Sequence, residues 1–256
     1  MSVFAQYLPS GTLLPFGGYS VPAGFLFCDG TAVSRTTYAA LFNAISPSLG
    51  TFTVTIATPA VVTLNSHGLQ TGDQVYLTTT GALPTGLTAN TLYYVIRIDA
   101  NTFNLATSRA NAYASTKINT SGTQSGTHTL FVCPYGLGDG STTFNVPDGR
   151  GRALAGNDSM GGTSASRLTL AQSQGSYGNL GASGGEQGHQ LTTAELASHS
   201  HAENVASATG GGLTGITGTA NLQGNTGSTQ TTQSAGSDTS HNNIQPTLVA
   251  NYIIKT

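Results

Sequence analysis

Between Glu203 and Asp238 the chain carries neither a charged nor an aromatic residue, and Gly, Ser, Thr, Asn and Gln supply most of that stretch. Fixing about thirty such residues costs roughly 1 to 2 kcal/mol of backbone entropy each, and one chain has too little apolar surface there to offset it. Either the segment stays mobile, or other chains supply its contacts. The bias extends to the whole sequence of 256 residues, of which only 7% are charged and 34 are Gly, against about a quarter charged in an ordinary globular domain. The surface is polar but uncharged.

Several function classes are disfavoured at once. Eight Lys plus Arg against ten Asp plus Glu leave a net charge of -2. No basic run exists to neutralise a phosphate backbone, so nucleic acid is not an expected partner. The residues of general acid and base chemistry are scarce, which argues against an enzyme. No stretch approaches the roughly 18 apolar residues of a membrane span, and residues 1 to 6 lack both a basic and an apolar leader region. The expectation is a chain made soluble in a cytoplasm, with no membrane insertion. Cys28 and Cys133 lack the spacing of a disulfide framework or zinc knuckle and read as small buried hydrophobes.

Pro9, Gly11, Pro15, Gly17, Gly18, Pro22 and Gly24 punctuate the first unit, which predicts short strands joined by turns. Gly24 to Gly30 reads as a buried strand entering an Asp29-Gly30 turn. A helix is expected from Ser34 to Ile45, with Ser34 as its cap, Tyr38, Leu41, Phe42 and Ile45 on one face, and Pro47 ending it. From residue 51 to about 130 strand candidates follow at short spacing: Thr53 to Ile56, Val61 to Leu64, Gln74 to Leu77, Leu92 to Ile96 and Phe103 to Leu105. The turn signals between them leave no room for a crossover helix, which predicts an antiparallel module closed as a small barrel, with 119 to 128 as its exit linker. Beyond Tyr135 the first unit resumes, with a strand at Thr143 to Val146. The expected class is therefore mainly β with few short helices.

Gly11-Thr12-Leu13-Leu14-Pro15-Phe16-Gly17-Gly18, then Pro22 to Gly30, then Ser34 to Phe42, resemble in order and spacing the opening of the phage tail collar domain family. Gly138-Asp139-Gly140-Ser141-Thr142-Thr143-Phe144-Asn145-Val146-Pro147-Asp148 with Arg150-Gly151-Arg152 is similar to its close, although Gly149 stands where the pattern has an apolar residue. Gly184-Gly185-Glu186, Leu191 to Leu196, Ser198-His199-Ser200-His201 and His241 to Thr256 follow the later pattern. The resemblance implies a discontinuous collar domain at 1–50 and 131–160, split by the inserted module at 51–130, and a Gly-, Ser- and Thr-rich tip at 161–256 intertwined within a trimer. The insert itself resembles small β modules of other phage tail proteins through His67-Gly68-Leu69, Gly72 to Val75 and Leu92 to Val95.

For function the resemblance implies a virion protein of the tail, assembled in the host cytoplasm. It would be a homotrimeric short fibre or fibre tip that docks on other tail or baseplate proteins through its N-terminal part and attaches to a host-surface glycan or other receptor. Recognition is expected in 203–240, in the inserted module, or in both. The competing readings are an architectural baseplate component without receptor contact and a polysaccharide depolymerase. His199 and His201, at i and i+2 of an extended segment, share a face. A threefold axis would gather six imidazoles from three chains around one transition metal, zinc or iron, as the resemblance implies; the plainer reading is a solvated pair. Thr192 and Glu195 form a capping-box pattern that would aim the pair inward. His189 and His241 are expected as hydrogen-bonded loop residues, and His67 and His128 as turn residues. Asp139, Asp148 and Asp158 could supply the carboxyl pair of a glycosidase, but Asp139 and Asp148 fit turn positions better. Arg150 and Arg152 are expected to alternate on one face of a strand, fixing the collar core or trimer contacts. Gly210 to Gly212 lacks the context of a nucleotide loop.

Overall fold

The computed structural model describes residues 8–160, 162–163, 165–168, 179–198 and 239–256. Its elements are short, as the Gly and Pro spacing requires. They run β1 (Leu13–Phe16), β2 (Phe25–Phe27), β3 (Ala32–Ser34), α1 (Ala39–Ile45), β4 (Ser48–Val54), β5 (Val62–Thr63), β6 (Gln74–Thr79), β7 (Leu92–Arg97), β8 (Thr102–Ala106), α2 (Arg109–Tyr113), β9 (His128–Val132), β10 (Thr143–Asn145), β11 (Gly188–His189), a one-turn 3-10 helix (Thr193–Glu195), β12 (His241–Asn242) and β13 (Asn251–Lys255). They fall into two units, one of Met1–Gly185 with Thr247–Thr256 and one of Glu186–Pro246.

In the first unit β13 lies between β1 and β2, antiparallel to both, with Leu14 opposite Ile253 and Leu26 opposite Ile254. Residues 251–255 were expected to end the tip; they form instead the central strand of this sheet. Asn179 to Ala182, also expected in the tip, are fastened to the barrel, as described below. A second ribbon pairs β3 with β10, Phe144 opposite Val33. Leu41, Cys28, Phe144, Val146 and Ile254 form the buried core, with Tyr38, Phe42 and Ile45 packed against it. The predicted apolar face of the helix is therefore the one that faces the core. The helix itself starts later than expected. Ser34 belongs to β3, and the Arg35 N–H donates to Thr142 O at 2.9 Å, so the chain cannot coil until it leaves the ribbon. The Ser34 hydroxyl accepts from the Thr37 N–H, a turn rather than a helix cap. At Gly149 a Cβ would stand 2.9 Å from the Tyr252 ring, which explains the missing side chain there. Burial pushes the Cys28 thiol up to about 11 and the Cys133 thiol up to about 12, so both behave as the hydrophobes expected of them.

The closed barrel runs β4-β5-β8-β7-β6-β9, every pair antiparallel. Strand alternation sends Phe52, Val54, Val75, Leu77, Tyr93, Val95, Phe103, Leu105 and Leu130 into one core, which fills the small barrel with side chains. Residues 119–127 are no linker. The Thr120 hydroxyl donates to Thr55 O at 2.7 Å and accepts from the Ala57 N–H, Gln124 Nε2 donates to Val54 O, and Ser121 and Ser125 bridge to Thr85 and Ala82. A low-complexity composition read as slack is here the hydrogen-bonding seam across one end of the barrel. Its glycines allow close backbone approach: a Cβ on Gly126 would meet Gly81 N at 2.6 Å. Helix α2 was not anticipated. It is five residues long, capped by Ser108, whose hydroxyl accepts from the Asn111 N–H, and Ala112 covers Ile96 and Ala106 outside the barrel.

Arg35 joins the two halves of this unit. Its Nε donates to Thr143 O at 2.8 Å and its Nη2 to Leu137 O at 3.2 Å. The guanidinium lies 4.9 Å from the Phe42 ring centroid and 5.3 Å from that of Tyr76, which stacks on Phe131. Replacing Arg35 by Ala strands two carbonyls and removes two cation-π contacts, so we expect a loss of about 2 to 3 kcal/mol in urea unfolding. Arg35→Lys should recover only part of it, because one ammonium cannot span both carbonyls and stack. Equal stability of all three proteins would show that Arg35 does not join the halves.

Candidate functional site

His199 and His201, and the segment 203–240 up to Asp238, lie outside the described residues. The flanks of that segment are described, and they bring together titratable side chains. β11 pairs with β12 antiparallel, His189 opposite His241 and Gly188 opposite Asn242, and the Asn243 N–H donates to Gln187 O at 3.1 Å. Two expected loop histidines are thus cross-strand neighbours, their rings edge to face at 5.9 Å. The His189 ring stands between two carboxylates: Nδ1 meets Glu186 Oε1, and Nε2 lies 3.0 Å from Glu195 Oε1. Glu195 comes from the one-turn helix that the capping-box pattern anticipated, and its Oε2 accepts the N–H and hydroxyl of Thr192, each at 2.7 Å. Glu195, then Glu186, raise the His189 imidazole above its ordinary range. The Thr192 N–H and hydroxyl, with His189, hold Glu195 down to about 2. Among the described residues no group of three or more His, Cys, Asp or Glu is placed to hold a metal ion.

The remaining candidates organise backbone. Asp139 accepts the N–H groups of Ser141, Thr142 and Thr143 and the Thr142 hydroxyl. The Thr142 hydroxyl, followed by those N–H groups, holds its carboxyl well below the carboxylate range. Asp148 bridges to Asp29 through the backbone and ion-pairs with Arg150 at 2.8 Å and Arg152 at 3.1 Å. The two arginines do not alternate along a strand. They sit on a turn, because both reach back to Asp148, and their side chains are 70% and 45% exposed. Asp158 accepts the N–H groups of Ser166, Arg167 and Leu168. These carboxyls are engaged as turn and loop anchors, the role expected for Asp139 and Asp148.

His67 lies in its turn, buried, with Nδ1 accepting the Leu69 N–H and Nε2 facing Asp99 O. His128, expected in a turn, opens β9 instead, between the Thr79 hydroxyl and Gln124 Oε1, and burial lowers its imidazole. Both serve the barrel. A cleft of about 550 Å³ is bounded by Leu13, Ile45, Val132, Tyr135 and Leu180 together with Asp73. The Asp73 carboxyl, raised by burial, already accepts from the Gln70 N–H and from Asn179 Nδ2, each at 2.7 Å.

Asn179 was missed by sequence reasoning. Buried, it also donates to Thr71 O and accepts the Tyr113 hydroxyl at 2.7 Å, so it fastens a stretch well beyond β10 to the barrel. A lone Asn in a Gly- and Ser-rich run gives no local signal of this. Asn179→Ala removes the side-chain bonds to Asp73, Thr71 and Tyr113, and we expect destabilisation of about 1 to 3 kcal/mol by chemical denaturation. An unchanged midpoint and slope would show that the anchor carries no weight.

Comparison with known proteins adds one positive finding. Residues 11–59 match the family model described as Phage Tail Collar Domain, over β1, β2, β3, α1 and β4. No curated protein and no solved structure matches the chain.

Proposed function

We propose that the chain, a phage tail protein by its collar domain, is a homotrimeric short fibre or fibre tip that attaches the virion to a host-surface carbohydrate and has no catalytic role. The collar match at residues 11–59 carries this reading. The hydroxyl- and amide-rich segment 203–240, with no charged residue between Glu203 and Asp238, supports the ligand class: it offers many donors and acceptors with little charge to desolvate, and three copies multiply weak contacts. Assembly with other chains is supported by an apolar patch. Tyr19, Leu248 and Val249 are 100%, 94% and 91% exposed, and the Asn251 side chain, bonded to Gly18 O, brings their two segments together. Such a patch suits coverage by a neighbouring chain.

His199 and His201 of three chains would hold one zinc or iron ion on the threefold axis. With little apolar area to bury in the tip, a cross-link formed at assembly compensates, since metal binding couples to folding. Neutral imidazole is required, so this contribution fades below about pH 6, as the pH falls under the ordinary His value.

The decisive experiment exchanges residues 203–240 with those of a phage of different host range and measures adsorption, which is expected to follow the exchanged segment; unchanged adsorption would move recognition to the barrel or to another protein. For the metal, elemental analysis of the purified trimer should find one ion per three chains, absent after His199→Ala with His201→Ala, together with a lower melting temperature. Well under one ion per three chains, or an unchanged melting temperature, returns the pair to solvated residues.

A further inference from the structure

Glu186 to Pro246 contains no Lys and no Arg, so imidazole is the only cation available to a carboxylate within that segment. One imidazole is placed to act as one. The His189 ring presents Nδ1 to a Glu186 oxygen and Nε2 to a Glu195 oxygen. Ionised carboxylates only accept hydrogen bonds, and neutral imidazole has a single N–H. The arrangement is satisfied on both sides only by the imidazolium, with two N–H donors. It sits on the second rung of the β11–β12 ladder, which has two rungs and none of whose four residues is fully buried. Among the described residues no hydrophobic core cluster includes these strands. Their pairing joins two stretches of chain far apart in sequence, at an entropic cost that rises with the logarithm of their separation.

We propose that this cluster is a pH-operated latch: the β11–β12 ladder is held while His189 is an imidazolium between Glu186 and Glu195, and it loosens when that imidazole loses its proton. The titratable groups facing His189 among the described residues are Glu186 from the preceding turn, Glu195 from the one-turn helix and His241 from the opposite strand. The sense follows from linkage. His189 is raised in the folded state, so its contribution is fully present below the ordinary His value of about 6.5 and disappears as pH climbs through the raised one. Glu195 is lowered to about 2, so its part is present above the ordinary Glu value, about 4.3, and disappears as pH falls towards 2. The latch is closed at mildly acidic pH and opens on the alkaline side. That is opposite in sense to a tip held by metal-bound neutral imidazoles, so the two devices are separable.

The test uses the full chain with a metal chelator present throughout, so that the fate of the His199 and His201 reading does not bear on it. Imidazole nitrogen NMR should show His189 with both nitrogens protonated at pH 6, titrating above a free histidine. A single N–H at pH 6 overturns the proposal. Hydrogen exchange of peptides covering 186–198 and 239–246, corrected for base catalysis, should lose protection by about tenfold between pH 6 and pH 9. His189→Asn and Glu195→Gln should each flatten that dependence while peptides of the barrel keep theirs. Protection independent of pH in the unaltered protein, or an unaltered dependence in both variants, also overturns it.

Discussion

A half-buried guanidinium with no ion-paired carboxylate among the described residues ties the first unit together. Arg35 places its charge against two carbonyl oxygens and two aromatic faces. Planarity allows this: the guanidinium can donate along its edge and stack on its faces at once. One end of the arrangement fixes the loop that includes Leu137 and leads into β10. The other holds Phe42 of α1 against Tyr76 of β6, so helix and barrel are positioned by the same group. The chain enters and leaves the barrel side by side, joined by the Val132 N–H to Pro47 O bond, and Arg35 adds a side-chain link between α1 and β6.

The scarcity of charge shapes the rest. In an ordinary domain many ionic groups are dispersed over the surface; here the described carboxylates are largely spent on the chain's own backbone. Asp99 turns the β7–β8 hairpin by accepting the N–H groups of Asn101 and Thr102, Asp139 turns the approach to β10, Asp148 gathers Arg150 and Arg152, and Asp158 collects three successive N–H groups. The carboxyls of Asp99, Asp139 and Asp148 are held ionised by their donors and are poor proton shuttles at neutral pH. The polar work left to the surface falls to hydroxyls and amides, which can meet a neutral, hydroxylated ligand without a large desolvation penalty.

Within Glu186–Pro246 the same economy takes another form. Imidazole is the only cation-forming side chain between Glu186 and Pro246, and histidine is the side chain whose ordinary range lies near neutrality. The short ladder places His189 between Glu186 and Glu195 where the Gly-rich segment begins.

Much of this was legible in local pattern. Alternation along β6, β7 and β8 determined which side chains enter the barrel, because side chains of a strand point alternately to its two faces. The spacing of Tyr38, Leu41, Phe42 and Ile45 determined the buried face of α1, and Asp29-Gly30, Asp139 and Thr192-x-x-Glu195 announced their turns through hydrogen bonds that reach only two to four residues. The tertiary structure alone decided the long-range pairings: β13 inserted between β1 and β2, Arg35 bonded to carbonyls more than a hundred residues away, Asn179 seated among Thr71, Asp73 and Tyr113, and His189 set opposite His241. It also decided that Ser121 to Gly126 form a seam and not a linker. Short-range periodicity carries the conformation of a segment and the side it buries, whereas the partner of a polar group is chosen by the closure of the whole chain, and a Gly- and Ser-rich sequence is compatible with many closures until the packed core selects one.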